Sequence, residues 1–197
     1  GTGKDTLAEA LMRMFTSNTA TMICGDDYHK FERGDASWKN LTHLNPAANY
    51  LDLWERDMRL AYSRRFYEQR EYDHISGKFS PFKPRLSRDV LVSQGLHGLY
   101  PSVSAKSDLR IFLSMDNDLR INLKLNRDQI LRAQTYDSVL ESIKKREGDY
   151  KAFVEPQKVT ADIHFHLFEE KNQLNLRVSS LSNSVIDEFI KNLALFS

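Results

Sequence analysis

A glycine-rich loop that runs directly into a helix pattern opens the chain, in the letters GTGKDT of residues 1–6. Glycines allow a backbone to curl around phosphate oxygens, a lysine reaches the β and γ phosphates of a nucleotide, and a hydroxyl contacts Mg²⁺. From Leu7 to Phe15 apolar residues recur at three- and four-residue spacing, which predicts an amphipathic helix whose N-terminus faces the anion. We therefore predict a phosphate-binding loop formed by Gly1, Thr2, Gly3, Lys4, Asp5 and Thr6.

The loop departs from the complete phosphate-loop pattern in two ways. That pattern includes an earlier glycine and a buried strand before the loop, and both positions precede Gly1, so we expect the natural chain to begin upstream. Asp5 stands where Ser or Thr usually contacts the metal. Its carboxylate would either bind Mg²⁺ or repel phosphate, and Thr6 is the nearest hydroxyl.

The composition argues against several classes of protein. Lys and Arg together number 28 and Asp and Glu 27, so bulk charge does not favour binding to nucleic acid or to a membrane surface. No apolar run approaches the roughly 20 residues that span a bilayer. Cys24 is the only cysteine and cannot form an internal disulfide, which fits a reducing compartment. We predict a cytoplasmic protein, one domain over residues 1–197, that acts on a small molecule; a homo-oligomer is compatible with the sequence.

Strand-like and helix-like segments alternate along the chain, which predicts an α/β fold with a mostly parallel sheet. The predicted strands cover Ala20–Cys24, residues 90–92 and residues 109–113. Predicted helices run from about Asn117 to Leu131 and from about Asp137 to Lys145.

Further elements are predicted outside these. Asn45 followed by Pro46 is typical of a helix start, with Asn45 as the cap. The inward face of that helix would comprise Leu51, Trp54, Met58 and Ala61. Alternation in residues 163–167 and 174–178 predicts an antiparallel hairpin at the edge of the sheet. Apolar residues between 185 and 193 predict a final amphipathic helix.

Polar clusters at residues 4–6, 26–29 and 94–97 follow strand-like or loop segments. In an open parallel sheet, ligands collect beyond the carboxyl ends of the strands, so these clusters are expected to share one site. Asp26 is placed where a substrate hydroxyl would lose its proton; the alternative is a residue that only caps a turn.

A fourth cluster lies on the helix predicted from Asn117. It consists of Lys124, Arg127, Asp128 and Arg132. Their spacing of three to five residues would let several share one face and clamp phosphate. Taken alone, the same pattern is more typical of a solvated charged face.

Two histidines in the predicted hairpin, His164 and His166, raise the question of a metal site. Strand alternation puts both on one face, but the sequence offers no evident third ligand. We therefore favour exposure on an edge strand as the explanation.

Taken in order, these motifs resemble the phosphoribulokinase and uridine kinase family, and the phosphoribulokinase branch more closely. The segments that carry the resemblance are Gly25-Asp26-Asp27-Tyr28-His29 with Arg33, Thr42 to Leu53, Tyr72 to Gly77, Gln94 to Tyr100, Lys124 to Asp128 with Arg132, and Ser142 to Asp162. The resemblance implies a P-loop NTPase fold of three layers, with helices on both faces of a mostly parallel sheet and an antiparallel edge hairpin near the C-terminus. It covers about residues 1–178.

The resemblance also implies roles for individual residues. Catalytic roles fall to Asp26 as the general base, Lys4, Arg127 and Arg132. Substrate contacts fall to His29, Arg33, Tyr72, His74, Lys124 and Asp128. The metal contacts would be Asp5, Thr6 and Gln94. The implied reaction transfers the γ-phosphoryl group of ATP, with Mg²⁺, to a hydroxyl of a sugar phosphate. The alternatives are a uridine kinase-like nucleoside kinase and a catalytically silent ATP-binding module.

Departures from the family pattern bear on these alternatives. The family has an acidic residue, a ligand of Mg²⁺, where this chain has Gln94, and an amide is the poorer ligand for a hard cation. Asp5 adds a carboxylate beside the same metal, so the two changes either compensate or mark a silent site. Ala133 replaces the glycine of the lid motif. Arg33 supplies a cation for an acceptor phosphate, which favours a sugar phosphate over a nucleoside.

Overall fold

The computed structural model describes residues 3–15, 19–132 and 135–180, together with Ser184, Asp187, Glu188 and Lys191. Gly1, Thr2, Ala133 and most of the predicted C-terminal helix lie outside the described residues, as do the side chains of residues 127, 128 and 130–132.

Helices and strands alternate as predicted. The helices are α1 (Lys4–Arg13), α2 (Leu51–Tyr62), α3 (Pro101–Ser104), α4 (Asn117–Arg132) and α5 (Tyr136–Asp149). The strands are β1 (Ala20–Cys24), β2 (Tyr67–Gln69), β3 (Tyr72–Asp73), β4 (Lys78–Phe79), β5 (Lys83–Arg85), β6 (Val90–Gln94), β7 (Ile111–Met115), β8 (Ile163–Glu170) and β9 (Gln173–Ser180). Short 3₁₀ helices cover Gly25–Tyr28, Ala36–Lys39, Pro46–Ala48 and Glu155–Thr160, and a π-helical turn covers Tyr150–Val154.

The strands form four separate sheets within the described part of the chain. β1 and β6 run parallel and bring Cys24 opposite Gln94. β7 runs parallel to β8, which continues antiparallel into β9 as the predicted hairpin. β2–β5 and β3–β4 form two short antiparallel pairs. The strand predicted at residues 109–113 lies two residues later, at Ile111–Met115.

The helix predicted from Asn45 is two elements. Asn45 does act as a cap, because its Oδ1 accepts the N–H of Ala47 at 3.0 Å, but the 3₁₀ helix ends at Ala48. Asn49 is extended and its side chain donates to the backbone carbonyls of His43 and Asn45, so the chain cannot continue as a helix there. α2 begins only at Leu51.

The main core lies where α2 packs beneath the β1–β6 pair. It contains Ile23, Tyr28, Trp54, Met58, Ala61, Tyr67 and Val103. Trp54 stacks on Tyr28 with ring centroids 5.5 Å apart. A Cβ added at either Gly25 or Gly95 would come within 2.5 Å of the Trp54 indole, and the two glycine backbones themselves are in close contact. Glycine at both strand ends therefore lets the indole fit directly below the site.

Gly25→Ala and Gly95→Ala should each lower the free energy of unfolding by about 1–3 kcal/mol, because the indole of Trp54 must move. Urea unfolding measures this. Gly148→Ala is the matched control, since a Cβ there meets nothing within 4 Å and the position lies in α5. Its helix propensity should make that variant neutral or slightly more stable. Equal losses in all three variants would contradict the packing argument.

Candidate active site

A cleft with a cavity volume of about 640 Å³ opens above the ends of β1 and β6. Its floor includes Gly3, Lys4, Asp5, Thr6 and Asp26; its walls include His29, Arg33, Trp38, His43, Tyr72, His74, Arg120, Lys124, Arg146 and Tyr150. Most sequence-predicted site residues with described side chains thus line one cavity. Gln94 does not line the cavity but contacts Lys4 beneath it.

Lys4 connects the clusters that the sequence placed in separate segments. Gly3 caps α1 with a φ of 79°, a left-handed conformation that favours glycine. The Lys4 ammonium lies 2.7 Å from Asp5 Oδ1, 3.1 Å from Gln94 Oε1 and 3.5 Å from Asp26 Oδ2. Burial lowers the pKa of Lys4, but the carboxylates of Asp26 and Asp5 outweigh it and raise the pKa overall. The loop, β1 and β6 therefore meet at this ammonium.

Asp26 lies at the centre of the floor, with 8% of its surface exposed. Its Oδ2 is 3.4 Å from His74 Nε2 and its Oδ1 is 3.7 Å from His29 Nε2. Burial alone would raise the pKa of this carboxyl, but His74, Lys4 and His29 together hold the pKa well below its usual range. Asp26 is therefore ionised at neutral pH and directed at the cleft, which is more than a turn cap requires.

His29 is oriented by a residue that the sequence reasoning passed over. Its Nδ1 lies 2.6 Å from Asn49 Oδ1, so this nitrogen is the donor to the amide oxygen, and Nε2 is directed towards Asp26. Burial lowers the pKa of His29 against the opposing effect of Asp26. Asn49 belongs to the segment from Thr42 to Leu53 that carries the resemblance, but its role is visible only once the chain has folded.

Arg33 was predicted to contact substrate, but in this structure its guanidinium forms hydrogen bonds to a loop. Its Nη1 donates to the carbonyl of Ile75 at 3.0 Å and its Nη2 to the carbonyl of His74 at 2.6 Å. It still lines the cleft. Its contacts therefore fix the loop that carries His74, and a substrate contact stays a prediction.

The far wall of the cleft is cationic and comes from α4 and α5. Lys124 is 7% exposed and donates to Ser142 Oγ at 3.3 Å, so it does not belong to a solvated charged face. Arg120 pairs with Glu147 at 3.1 Å. Arg120 was missed, although it precedes Lys124 by one helical turn and the same face of α4 would have indicated it. The roles of Arg127, Asp128 and Arg132 stay predictions because their side chains lie outside the described residues.

The wall of the cleft that contains Trp38 is hydrogen-bonded to α5. Lys145 Nζ donates to the backbone carbonyls of Trp38 and Lys39 at 3.0 and 2.8 Å. Thr42 donates through Oγ1 to Asp149 Oδ2 at 2.7 Å. The segment from residue 38 to residue 42 is therefore attached to α5 at both of its ends.

The edge-strand explanation of His164 and His166 is wrong. β8 is the middle strand of its sheet and both side chains are half-buried. Ser114 Oγ lies 2.7 Å from His164 Nε2 and 2.8 Å from His166 Nδ1, and His166 Nε2 lies 3.0 Å from Asp116. Hydrogen bonds across β7 and β8 account for the pair. Within the described residues, no group of three or more His, Cys, Asp or Glu is placed to hold a metal ion.

Together the fold and the cleft define an α/β protein with a phosphate-loop site at the ends of parallel strands. The chain matches the model of the phosphoribulokinase / uridine kinase family over residues 1–173, and it belongs to that family, as the motifs predicted.

Individual relatives agree with this assignment. The chain is 34% identical to phosphoribulokinase of Synechocystis sp. over 184 residues, which cover 90% of this chain and 55% of the relative. It is 33% identical to the chloroplastic phosphoribulokinase of Triticum aestivum, covering 74% of this chain and 36% of the relative. The chain thus spans about half or less of the length of these relatives.

A solved structure shows the same fold. Phosphoribulokinase from Rhodobacter spheroides superposes with a TM-score of 0.73 at 20% identity, covering 96% of this chain and 79% of that structure. The P-loop NTPase fold is therefore confirmed, with its parallel strands and C-terminal antiparallel hairpin.

His97, in the turn after β6, is a buried histidine that makes the stability of the folded protein depend on pH. It is 1% exposed, and within the described part of the chain neither ring nitrogen makes a hydrogen bond of normal geometry. Burial lowers the pKa of His97 to about 4, against a smaller opposing effect of the His43 backbone. The folded protein therefore holds this ring neutral where the unfolded chain would protonate it.

We expect the free energy of unfolding to fall as pH drops from about 6.5 to about 4, because the unfolded chain then binds a proton that the folded chain excludes. The contribution of His97 is about 3 kcal/mol at most. Urea unfolding of wild type and His97→Phe at several pH values measures it. The variant should lose less stability than wild type over this interval; parallel curves would contradict the assignment.

Proposed function

We propose that this chain is an ATP-dependent kinase that transfers the γ-phosphoryl group to a hydroxyl of a sugar phosphate. The observation that carries the proposal is the position of Asp26. Its ionised carboxylate lies 3.5 Å from the phosphate-loop ammonium of Lys4, at the floor of a cleft whose far wall is cationic. A base beside a phosphate-binding lysine is the arrangement that phosphoryl transfer to a hydroxyl requires.

In this mechanism Lys4 and the N-terminus of α1 bind the phosphates of ATP. Asp26 accepts the proton of the acceptor hydroxyl as the phosphoryl group arrives. His29, through Nε2, and His74 flank the same carboxylate and orient the hydroxyl. Arg127 and Arg132 are proposed to stabilise the charge that develops on the transferred group.

The residues present fit Mg²⁺, which the family implies. The Asp5 carboxylate and the Gln94 amide oxygen both lie within hydrogen-bond distance of Lys4 Nζ, and Thr6 adds a hydroxyl at the start of α1. Mg²⁺ prefers oxygen ligands and in kinase sites takes only one or two protein carboxylates beside the phosphates. When bound, Mg²⁺ would neutralise negative charge on the phosphates. We propose that Asp5 provides the carboxylate that Gln94 lacks.

The cationic wall supports a phosphorylated acceptor. Lys124 and Arg120 line the same cleft as the phosphate loop, and these cations would favour an acceptor that carries a phosphate. A uridine kinase-like acceptor remains the alternative within the enzyme class.

The cytoplasmic location also stays a prediction, since one relative is named chloroplastic. None of the described helices is long and apolar enough to cross a membrane.

One observation favours a second candidate, a silent ATP-binding module. Lys4 already contacts Asp5 and Gln94 Oε1, so its charge is partly satisfied before a nucleotide binds. A nucleotide would have to displace these contacts to reach the ammonium.

Asp26→Asn should lower turnover by roughly a hundredfold to ten-thousandfold, since the amide cannot accept the hydroxyl proton, while ATP affinity changes little. The assay follows ADP formation over a panel of phosphorylated sugars and nucleosides, and ATP binding is measured by calorimetry. Asp57→Asn is the matched control, because Asp57 is a buried carboxylate outside the cleft. A near-normal rate for Asp26→Asn would refute the role of Asp26. A silent module binds ATP but forms no product with any acceptor.

Exchange of the two unusual residues tests the metal assignment. Asp5→Thr should raise the Mg²⁺ concentration that gives half-maximal kcat/KM by roughly tenfold or more, because a carboxylate ligand is lost. The double variant Asp5→Thr with Gln94→Glu should return this concentration to the wild-type value. Activity that appears only after Gln94→Glu, with wild type inactive, would instead support the silent module.

A further inference from the structure

Asp27, next to the proposed base, is turned away from the cleft and binds a different part of the chain. Its Oδ1 accepts the backbone N–H of Tyr72 at 2.7 Å, and its Oδ2 accepts Nε2 of Gln69 at 3.0 Å. It is 8% exposed and is not among the residues that line the cavity. The carboxylate therefore binds the segment from residue 69 to residue 72, which leads into His74.

Arg70 makes the reciprocal contacts from that segment to the turn that carries the base. Its Nη2 donates to the carbonyl of His29 at 2.6 Å and its Nε to the carbonyl of Asp27 at 3.4 Å. Its guanidinium also lies 3.5 Å from the ring centroid of Phe79. A guanidinium that stacks and donates in one plane has little freedom to move. We call these contacts of Asp27 and Arg70 the clasp.

The clasp and Arg33 hold His74 from opposite sides. Asp27 fixes Tyr72, two residues before His74, and Arg33 fixes the carbonyls of His74 and Ile75. Because Asp27 follows Asp26 directly in the chain, a contact to Tyr72 sets where His74 lies relative to Asp26. Their present separation is 3.4 Å, between Nε2 and Oδ2.

We propose that Asp27 is a positioning residue that holds His74 against Asp26, with Arg70 as its counterpart. The inference rests on the proposed kinase function. A carboxylate at this position is not the obvious choice for stability, since burial raises the pKa of Asp27 to about 6 and Asp26 adds repulsion. Asp27 is thus an ionisable group kept in the interior at a cost, where it orients a neighbouring segment of the site.

A double-mutant cycle between Asp27 and His74 tests the proposal. Asp27→Ala should lower kcat/KM for the acceptor by roughly tenfold to a hundredfold, because small displacements near the reacting groups have effects of that size. The KM for ATP should stay within about twofold. The kcat/KM of Asp27→Asn should fall between those of wild type and Asp27→Ala, since its oxygen still accepts the Tyr72 N–H. In a His74→Ala background, Asp27→Ala should cause little further loss.

The control is Asp57→Asn, which alters another buried carboxylate, bonded to Tyr28 and Arg56 and not to the clasp. It should lower stability without the selective loss on the acceptor. Additive losses at Asp27 and His74, or an equal loss for Asp57→Asn, would overturn the proposal.

Amide hydrogen exchange keeps the clasp testable even if no acceptor is phosphorylated. That outcome would disprove the kinase function but not the clasp. Asp27→Ala should then speed exchange in residues 72–77 and leave β1 and β6 unchanged, and Asp27→Asn should speed it less. Unchanged exchange in residues 72–77 would overturn the clasp independently of any activity.

Discussion

The contact between the Trp54 indole and the backbones of Gly25 and Gly95 is the constraint on which the site depends. Trp54 is 1% exposed and its Nε1 donates to Ser93 on β6, while its ring stacks on Tyr28 beyond β1. One side chain from α2 therefore fixes the ends of both strands. Asp26 follows Gly25 and Gln94 precedes Gly95, so the positions of these two polar groups follow from an apolar contact below them.

Above the contact of Trp54 with the two glycines, groups of opposite charge in the site lie close to one another. The Asp26 carboxylate lies among Lys4, His29 and His74, and Lys4 in turn contacts Asp5 and Gln94. Such a network holds the base ionised, but it also weakens the base, because a carboxylate stabilised by cations holds a proton poorly. Binding of phosphates to Lys4 would withdraw part of that stabilisation. The resting charge pattern is therefore one that the arrival of a nucleotide would change.

The sequence predicted the elements whose signals are local. β1, α4 and the β8–β9 hairpin were predicted because their apolar periodicity spans the whole element, and the grouping of Lys4, Asp26 and Gln94 followed from the rule for parallel strand ends. Prediction from the sequence failed where residues far apart in the chain determine the local structure. Asn49 ends a helix and orients His29 through contacts to residues 43–45 and to the ring itself, and neither contact has a periodic signature. Arg33 was assigned to substrate from the family resemblance, and no local signal predicted that it binds loop carbonyls 41 and 42 residues away.

β8 shows a related limit. Alternation identified it as a strand, but alternation does not tell a central strand from an edge strand when polar residues on one face bond one another. Ser114 supplies the partner that makes a half-buried position acceptable for His164 and His166.

The bonds of Lys145 and Asp149 to residues 38–42 have a mechanical consequence for the cleft. A displacement of α5 must either break these hydrogen bonds or carry the segment with Trp38 and Thr42 along with it. α4 packs on α5 and contributes Lys124, so the cationic wall and the wall that contains Trp38 are parts of one linked assembly. While these hydrogen bonds persist, a displacement of either wall relative to the phosphate loop would carry the other wall with it.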